Sequence, residues 1–262
     1  MFSKKEIAIF LFAHQDDESG VFYEINRLIN EKKRVVIIYL TSGHHLGHPS
    51  PIRDNESAHV LSKMGISSDN VFFLGRNLSI PDGKLPEYLD TALKGVTNII
   101  DKIGKPSVIY TLAWEGGHQD HDAAHLIAAA IGSQFDILPN CYQFPLYTGA
   151  NLRSIFFKLF SPLLENGVIV RHRIAWRDRA RFIAYCFLYP SQKKTWLGLF
   201  PFFLFHYIFF GTQILQPISI FRLQQAPHAG VLLYERRGFY QYQNFSKYAD
   251  IFIRCFGRKN IG

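Results

Sequence analysis

The chain has 262 residues, of which 48% are hydrophobic and 19% are charged. This length suits one large domain with a sizeable core, and the composition excludes global disorder. The formal net charge of +8 favours an anionic partner, but no nucleic-acid-binding motif accompanies it, so we expect no nucleic acid to bind.

The first half of the chain alternates short apolar runs with longer amphipathic segments, which is the pattern of βαβ units around a parallel sheet. The predicted strands are residues 7–12, 35–40, 71–74 and 108–112. The predicted helices are residues 17–30, 55–64, 87–103 and 120–131. The sequence therefore predicts an α/β fold with a Rossmann-like, mostly parallel sheet flanked by helices.

The three cysteines are far apart, with no C-x-x-C spacing, which favours neither a disulfide framework nor a thiolate metal site. A reducing, cytoplasmic setting fits this usage. The N-terminal apolar run, residues 7–13, is short and leads into an acidic segment, so we interpret it as a buried strand and not as a secretory signal.

The second half of the chain is less regular and rich in aromatic residues. We predict one domain over residues 1–262, with a core at 1–150 and a partly helical elaboration at 151–262 that packs on it. Residues 195–221 contain no Asp, Glu, Lys or Arg. Because Pro201 and several polar residues interrupt this stretch, we favour a buried helical hairpin over a transmembrane helix, and a peripheral contact with the inner face of a membrane stays an alternative.

The first polar cluster, His14-Gln15-Asp16-Asp17-Glu18, directly follows the first predicted strand. Crowded carboxylates repel one another unless a cation or helix-terminal amide groups neutralise them. The alternative is that Asp16 or Asp17 merely caps the helix that follows.

The second cluster, Gly116-Gly117-His118-Gln119-Asp120-His121, lies between the fourth strand and its helix. Two histidines three residues apart can share one ligand, although such pairs are also common on solvated helix faces. Both clusters follow strands whose carboxyl ends meet at one sheet edge, where ligands of such folds bind. Together they predict a metal site with an open position for water.

These two clusters resemble the A-H-P-D-D-E and H-x-D-H motifs of the PIG-L or LmbE-like deacetylases, which remove acetyl groups from N-acetylglucosamine units. Three shorter segments in the same order resemble other motifs of that family: Arg53-Asp54-Asn55-Glu56, Pro81-Asp82-Gly83 and Tyr189-Pro190-Ser191-Gln192.

The resemblance implies that His14, Asp17 and His121 bind zinc or another divalent transition metal and that Asp16 is the general base. It also implies that His118, oriented by Asp120, supports the reaction. The expected activity is hydrolysis of the acetamide of a GlcNAc-type conjugate, either a small molecule or lipid-linked.

By the same resemblance, Arg53 and Asp82 contact the sugar hydroxyls or a neighbouring phosphate. The alternative for Arg53 is a surface ion pair with Glu56, one helical turn away. Two departures from the family pattern stand out. Gln15 replaces a proline, which we expect to loosen its loop. Gly116 stands where some relatives have a tyrosine, so the oxyanion donor is unassigned.

A further group of histidines, His44, His45 and His48, follows the second strand, and we interpret it as a polar loop and not as a pocket rim. Two other functions stay open. A nucleotide-binding module would need a glycine-rich turn after the first strand, which is missing. A non-catalytic, membrane-associated module would have no need of Asp16.

Overall fold

The computed structural model describes residues 5–44 and 51–257. The strands are β1 (Ile7–Phe12), β2 (Arg34–Tyr39), β3 (Val71–Phe73), β4 (Val108–Leu112), β5 (Cys141–Phe144), β6 (Tyr147–Thr148), β7 (Lys158–Leu159), β8 (Val170–Arg173) and β9 (Thr212–Pro217). The helices are α1 (Phe22–Asn30), α2 (Ile52–Met64), α3 (Leu74–Asn77), α4 (Leu89–Ile103), α5 (Gln119–Gln134), α6 (Trp176–Cys186), α7 (Lys193–Phe205), α8 (Leu233–Arg236) and α9 (Tyr242–Gly257).

Within the described residues, the main sheet has the strand order β3-β2-β1-β4-β5-β9-β8. The first five of these strands are parallel, with Phe12 of β1 opposite Tyr39 of β2, and Leu11 opposite Thr111 of β4. Every residue of β1 is buried, as expected for the centre of a parallel sheet covered on both faces. This register brings the loops after β1, β2 and β4 to the same edge. The predicted α/β fold is confirmed.

The sheet continues into the C-terminal part of the chain. Strand β9 pairs antiparallel with β5, and β8 pairs antiparallel with β9 at the edge. Residues beyond 150 therefore extend the sheet as well as cover it, whereas we expected them only to pack on it. The boundary at residue 150 stays a prediction.

The predicted strands and helices of the first half are confirmed to within a few residues, with one exception. The helix expected at 17–30 is split into a 3-10 turn at Asp17–Gly20 and the α-helix α1. Val21 between them has φ −144° and ψ 20°, which is not helical. Asp17 and Glu18 have buried side chains with polar partners, and these contacts hold the turn away from the helix axis.

The prediction of a buried helical hairpin within residues 195–221 is wrong. Helix α7 leads into a π-helical turn, His206–Phe210, and the chain then enters strand β9. Gly211 makes this exit with φ 53°, and a Cβ atom there would meet the Arg179 guanidinium at 1.8 Å. Among the described residues, no helix is long and apolar enough to cross a membrane.

Candidate metal centre and active site

Three histidines meet at the carboxyl edge of the sheet. His14 lies two residues beyond the end of β1. His118 is the N-cap of helix α5, which follows β4, and His121 lies in the first turn of that helix. The ring centroid of His14 is 4.7 Å from that of His118 and 5.3 Å from that of His121. One nitrogen from each ring lies within 4.8 Å of the other two, so a single ion can reach all three.

Asp17 links two of these histidines. Its Oδ1 lies 3.2 Å from Nε2 of His121, and its Oδ2 lies 3.7 Å from Nδ1 of His14. The same Oδ2 accepts a hydrogen bond of 2.7 Å from the backbone N–H of His14, which fixes the carboxylate in the loop. The structure thus brings together His14, Asp17 and His121, the three predicted ligands.

The donor atoms of this cluster suit a divalent cation. Both ring nitrogens of His121 are buried, and within the described part of the chain neither makes a hydrogen bond, despite the nearby Asp17 carboxylate. Buried polar atoms are rarely left without a partner, and imidazole nitrogens beside a carboxylate are the usual ligands of zinc. The residues present therefore fit the metal that the sequence predicts.

Asp120 contacts a different histidine from the one we expected. Its Oδ2 lies 3.0 Å from Nε2 of His14, and its two oxygens accept hydrogen bonds from the backbone N–H groups of Gly83 and Leu85. His118 is the N-cap of α5, and its Nδ1 accepts from the backbone N–H of Asp120. The His118 ring folds back onto its own helix, so the Asp120 carboxylate orients His14 and not His118. Since Asp120 contacts Nε2 of His14, Nδ1 of His14 faces Asp17.

Asp16 lies beside the cluster in an unusual backbone conformation. Its φ is 123°, a region that side-chain-bearing residues rarely adopt. The Glu18 carboxylate accepts from the Asp16 N–H, and the Tyr189 hydroxyl donates to the same carboxylate at 2.9 Å. The Asp16 carboxylate lines the cavity described below, 3.4 Å from Arg53. Glu18 and Tyr189 therefore hold Asp16 in place.

Arg53 connects the loops of the site to one another. Its guanidinium donates to the carbonyls of Gly43 and Gln15 and lies 3.1 Å from the Asp82 carboxylate. Glu56, the partner in the alternative interpretation, is not among these contacts, and its carboxylate accepts from the backbone N–H of Ser191 at 2.8 Å. The surface ion pair considered as an alternative is therefore not formed.

Gln15 anchors its loop, contrary to the expected loosening. The side chain is fully buried and donates to Asp54 at 2.7 Å and more weakly to the carbonyl of Thr41. These bonds tie the loop after β1 to helix α2 and to the loop after β2.

His44, in the loop after β2, lines the cavity, and its Nδ1 lies 2.8 Å from the carbonyl oxygen of Ser42. His45 and His48 lie outside the described residues.

The electrostatics of the cluster separate its two adjacent aspartates. Burial raises the pKa of Asp16 to about 7, although Arg53 opposes this shift. Burial also acts to raise the pKa of Asp17, but the imidazoles of His121 and His14 outweigh it and hold the value well below the ordinary range. Burial lowers the pKa of His118 well below its ordinary value, with the neighbouring His14 adding to the effect. Asp17 is therefore ionised and His118 neutral at pH 7.

A cavity of about 1040 Å³ opens over the cluster. We call its polar side the floor, formed by His14, Asp16, Asp17, Arg53, Asp82, His118 and His121. We call its mainly apolar side the wall, formed by Tyr147, Phe157, Trp196, Leu199, Phe203 and Phe239, with the Arg237 guanidinium over the rings of Tyr147 and Phe157. The wall was not predicted from the sequence. Only the sequence of α7 contains a pattern from which part of the wall could be predicted, because Trp196, Leu199 and Phe203 recur at helical spacing.

The floor and the wall meet at the segment that follows β4. A Cβ atom on Gly117 would lie 2.0 Å from the carbonyl oxygen of Tyr147, so only glycine allows the two backbones to approach this closely. The ring of Tyr147 packs against His121, with centroids 5.3 Å apart. Tyr147 is therefore held against the proposed metal centre.

A parallel sheet with imidazoles and carboxylates converging beyond its strand ends defines an α/β protein with a candidate metal site at the carboxyl edge. Residues 9–131 match the model of the PIG-L family, described as GlcNAc-PI de-N-acetylase. The matched residues include β4, both motif clusters and most of β1, and the resemblance to this family inferred from the sequence is confirmed. The comparison with curated proteins gave no match.

Solved structures share the fold at low sequence identity. A deacetylase from the biosynthesis pathway of teicoplanin is 15% identical, with a TM-score of 0.60 over 81% of this chain and 98% of that one. The N,N'-diacetylchitobiose deacetylase from Pyrococcus horikoshii is 18% identical, with a TM-score of 0.55 over 82% of this chain and 85% of that one. A conserved protein from Thermus thermophilus is 18% identical, with a TM-score of 0.53 over 81% and 93%.

Proposed function

We propose that this protein is a metal-dependent N-deacetylase that hydrolyses the acetamide of an N-acetylated sugar and releases acetate and a free amino sugar. One observation carries the proposal. His14, Asp17 and His121 converge at the base of a large cavity, and the carboxylate of Asp16 lies beside them with a pKa of about 7, raised by burial.

In this proposal His14, Asp17 and His121 hold the ion, zinc or another divalent transition metal. When bound, such an ion activates water and polarises an amide carbonyl. Asp120 acts on the ligand His14, because a carboxylate on the far nitrogen of a ligating imidazole fixes the ring and raises its basicity. Asp82, 3.1 Å from the same Nε2, supports this orientation.

The proton transfers are assigned to Asp16 and His118. A base works best when its pKa is near the working pH, so the Asp16 carboxylate is suited to take a proton from the attacking water and to return it to the amine that leaves. The neutral His118 accepts at Nδ1 from its own helix, so its proton lies on Nε2. That N–H is available to donate to the oxyanion of the tetrahedral intermediate.

The substrate is proposed to be a GlcNAc-type conjugate. The matched family description names a GlcNAc-lipid, and two structural neighbours are named as deacetylases, one of them of a chitobiose. The cavity is much larger than an acetamide requires, and its apolar wall suits an attached aglycone. Contacts of Arg53 and Asp82 with the sugar stay predictions, and both side chains border the cavity.

The test is to incubate the purified, zinc-loaded protein with free, UDP-linked and lipid-linked N-acetylglucosamine and to measure the acetate released. We expect release from at least one conjugate, bound metal close to one equivalent by elemental analysis, and loss of both in a His121→Ala variant. A protein that binds no divalent metal and releases no acetate would favour the non-catalytic alternative.

A further inference from the structure

One side of α7 and the π-helical turn after it is apolar and exposed. We call this surface the outer aromatic face, formed by Leu197, Phe202, Phe205, Ile208, Phe209 and Phe210. Leu197 is 82% exposed and Phe209 is 67% exposed. Isolated apolar residues on a surface need no explanation, but a contiguous group of this size indicates an interaction site.

The same helix is apolar on its inner side as well. Trp196, Phe203 and Tyr207 are buried against the body of the protein. A helix that is hydrophobic all round is normally buried all round. The outer aromatic face is thus the side of α7 and of the π-helical turn that the described part of the chain leaves uncovered.

Neighbouring elements enlarge this surface. Phe187, which is exposed, packs on Phe200 with ring centroids 4.9 Å apart. The exposed Trp176 stacks on Arg179, whose guanidinium donates to the carbonyl of Tyr207 in the π-helical turn. Exposed aromatic rings therefore extend from α7 to the start of α6.

Positive charge is concentrated in the segment that carries the outer aromatic face. Residues 151–223 contain ten Lys and Arg but only two Asp and Glu, and this excess equals the whole net charge of +8. Arg173 lies opposite Thr212, directly after the π-helical turn and its Gly211, and Arg171 is two residues farther along the exposed edge strand. All the formal excess charge therefore lies in the segment that carries the aromatic face.

We propose that the outer aromatic face docks on the surface of an anionic lipid bilayer. Aromatic and aliphatic side chains that enter the interface, bordered by Lys and Arg that pair with anionic head groups, are the combination that binds such surfaces. A second copy of this chain is a poorer partner for the face, because two segments with a charge of +8 would repel each other.

With the outer aromatic face on the bilayer, the active-site cavity would lie at the membrane. Leu199 and Phe203 line the cavity, and Leu197 and Phe202 on the same helix belong to the outer face. A substrate anchored by a lipid tail would meet the wall without leaving the bilayer surface. Binding to lipid does not itself depend on the proposed reaction, so the two can be tested separately.

The test is co-flotation of the full chain with vesicles of phosphatidylcholine alone, or of phosphatidylcholine and phosphatidylglycerol in equal parts. We expect the protein to float only with the anionic vesicles and to be released by high salt. Leu197→Gln and Phe209→Gln should each weaken binding about tenfold or more, since each removes one apolar side chain from the interface. The double variant Arg171→Gln/Arg173→Gln should bind severalfold more weakly and with less dependence on salt.

The matched control is Ile251→Gln, which changes a residue that is 62% exposed on α9, a helix that packs on α5. It should bind vesicles like the parent. Acetate release from a water-soluble substrate should be the same in all these variants, because none of the changed residues lines the cavity. Equal binding of Leu197→Gln, Phe209→Gln and the parent would overturn the proposal, as would an absence of flotation. A dimer in size-exclusion chromatography that only the face variants dissociate would assign the surface to self-association instead.

Discussion

The floor and the wall of the cavity are built in different ways. The floor consists of charged and imidazole side chains from the loop after β1 and the start of α5, together with Arg53 of α2 and Asp82, and hydrogen bonds or ion pairs position most of them. The wall consists mainly of large apolar side chains from α7, the segment around Phe157 and the turn after α8. Its rings pack in pairs, and the Arg237 guanidinium lies over the rings of Tyr147 and Phe157. The floor is thus fixed by directional contacts and the wall by packing.

This contrast separates two roles. Directional contacts hold atoms to within tenths of an ångström, which proton transfer and metal binding require. Packed aromatic side chains tolerate change of shape more readily and serve to select a substrate by size and polarity. Substitutions in the floor should therefore alter the rate for every substrate, whereas substitutions in the wall should discriminate between substrates.

The largest effect is expected for Asp16→Asn, which keeps the size of the side chain and removes its basicity. If Asp16 transfers the proton, kcat should fall by about 10²–10⁴-fold for every substrate. Metal content and the unfolding temperature should stay near those of the parent, because Asp16 is not among the proposed ligands. A kcat within a few fold of the parent value would remove Asp16 from the reaction.

Asp120→Asn is the next largest and tests the contact between Asp120 and His14. An amide holds the imidazole less firmly, so zinc affinity should fall by about 10–100-fold, measured by competition with a chelator. His118→Gln is the control, since its ring is held by its own helix and not by the Asp120 carboxylate. If Asp120 instead served His118, the two variants would show the same zinc affinity and the same loss of kcat.

The floor could be predicted from the sequence to a greater extent than the wall. Apolar runs that stop at His14 and before Gly116 place polar residues at strand ends, and the order of a parallel sheet brings those ends together. The partner of Asp120 could not be predicted, because it depends on which way the His118 ring turns at the helix start. The position of Tyr147 could not be predicted either, since its packing against His121 results from the close approach of the Gly117 and Tyr147 backbones.

The wall is tested by Leu199→Ala, with Leu197→Ala on the opposite side of α7 as the matched control. We expect the KM for an octyl glycoside of N-acetylglucosamine to rise by up to about tenfold, because less apolar surface is buried with the alkyl chain. The kcat for that substrate, and both constants for free N-acetylglucosamine, should be unchanged. A fall in kcat for free N-acetylglucosamine would mean that the wall also positions the reacting groups.

The smallest effect is expected for Glu115, a residue that joins the floor of the cavity to its wall. Its buried carboxylate accepts hydrogen bonds from the backbone N–H groups of Leu146 and Tyr147, at 2.8 and 2.9 Å. Burial raises the pKa of Glu115 from 4.5 to about 8, against the effect of those two donors. Between these two values the folded chain binds a proton that the unfolded chain has lost, so this group makes unfolding easier as the pH rises.

In Glu115→Gln the side chain cannot ionise but can still accept both hydrogen bonds. The free energy of unfolding of the parent relative to this variant should therefore fall by about 1 kcal/mol per pH unit between about pH 5 and about pH 8, as measured by urea denaturation. Glu165→Gln, at an exposed position, should run parallel to the parent. Parallel curves for the parent and Glu115→Gln would instead mean that Glu115 ionises in the folded protein as it does in the unfolded chain, and that the junction of floor and wall admits water.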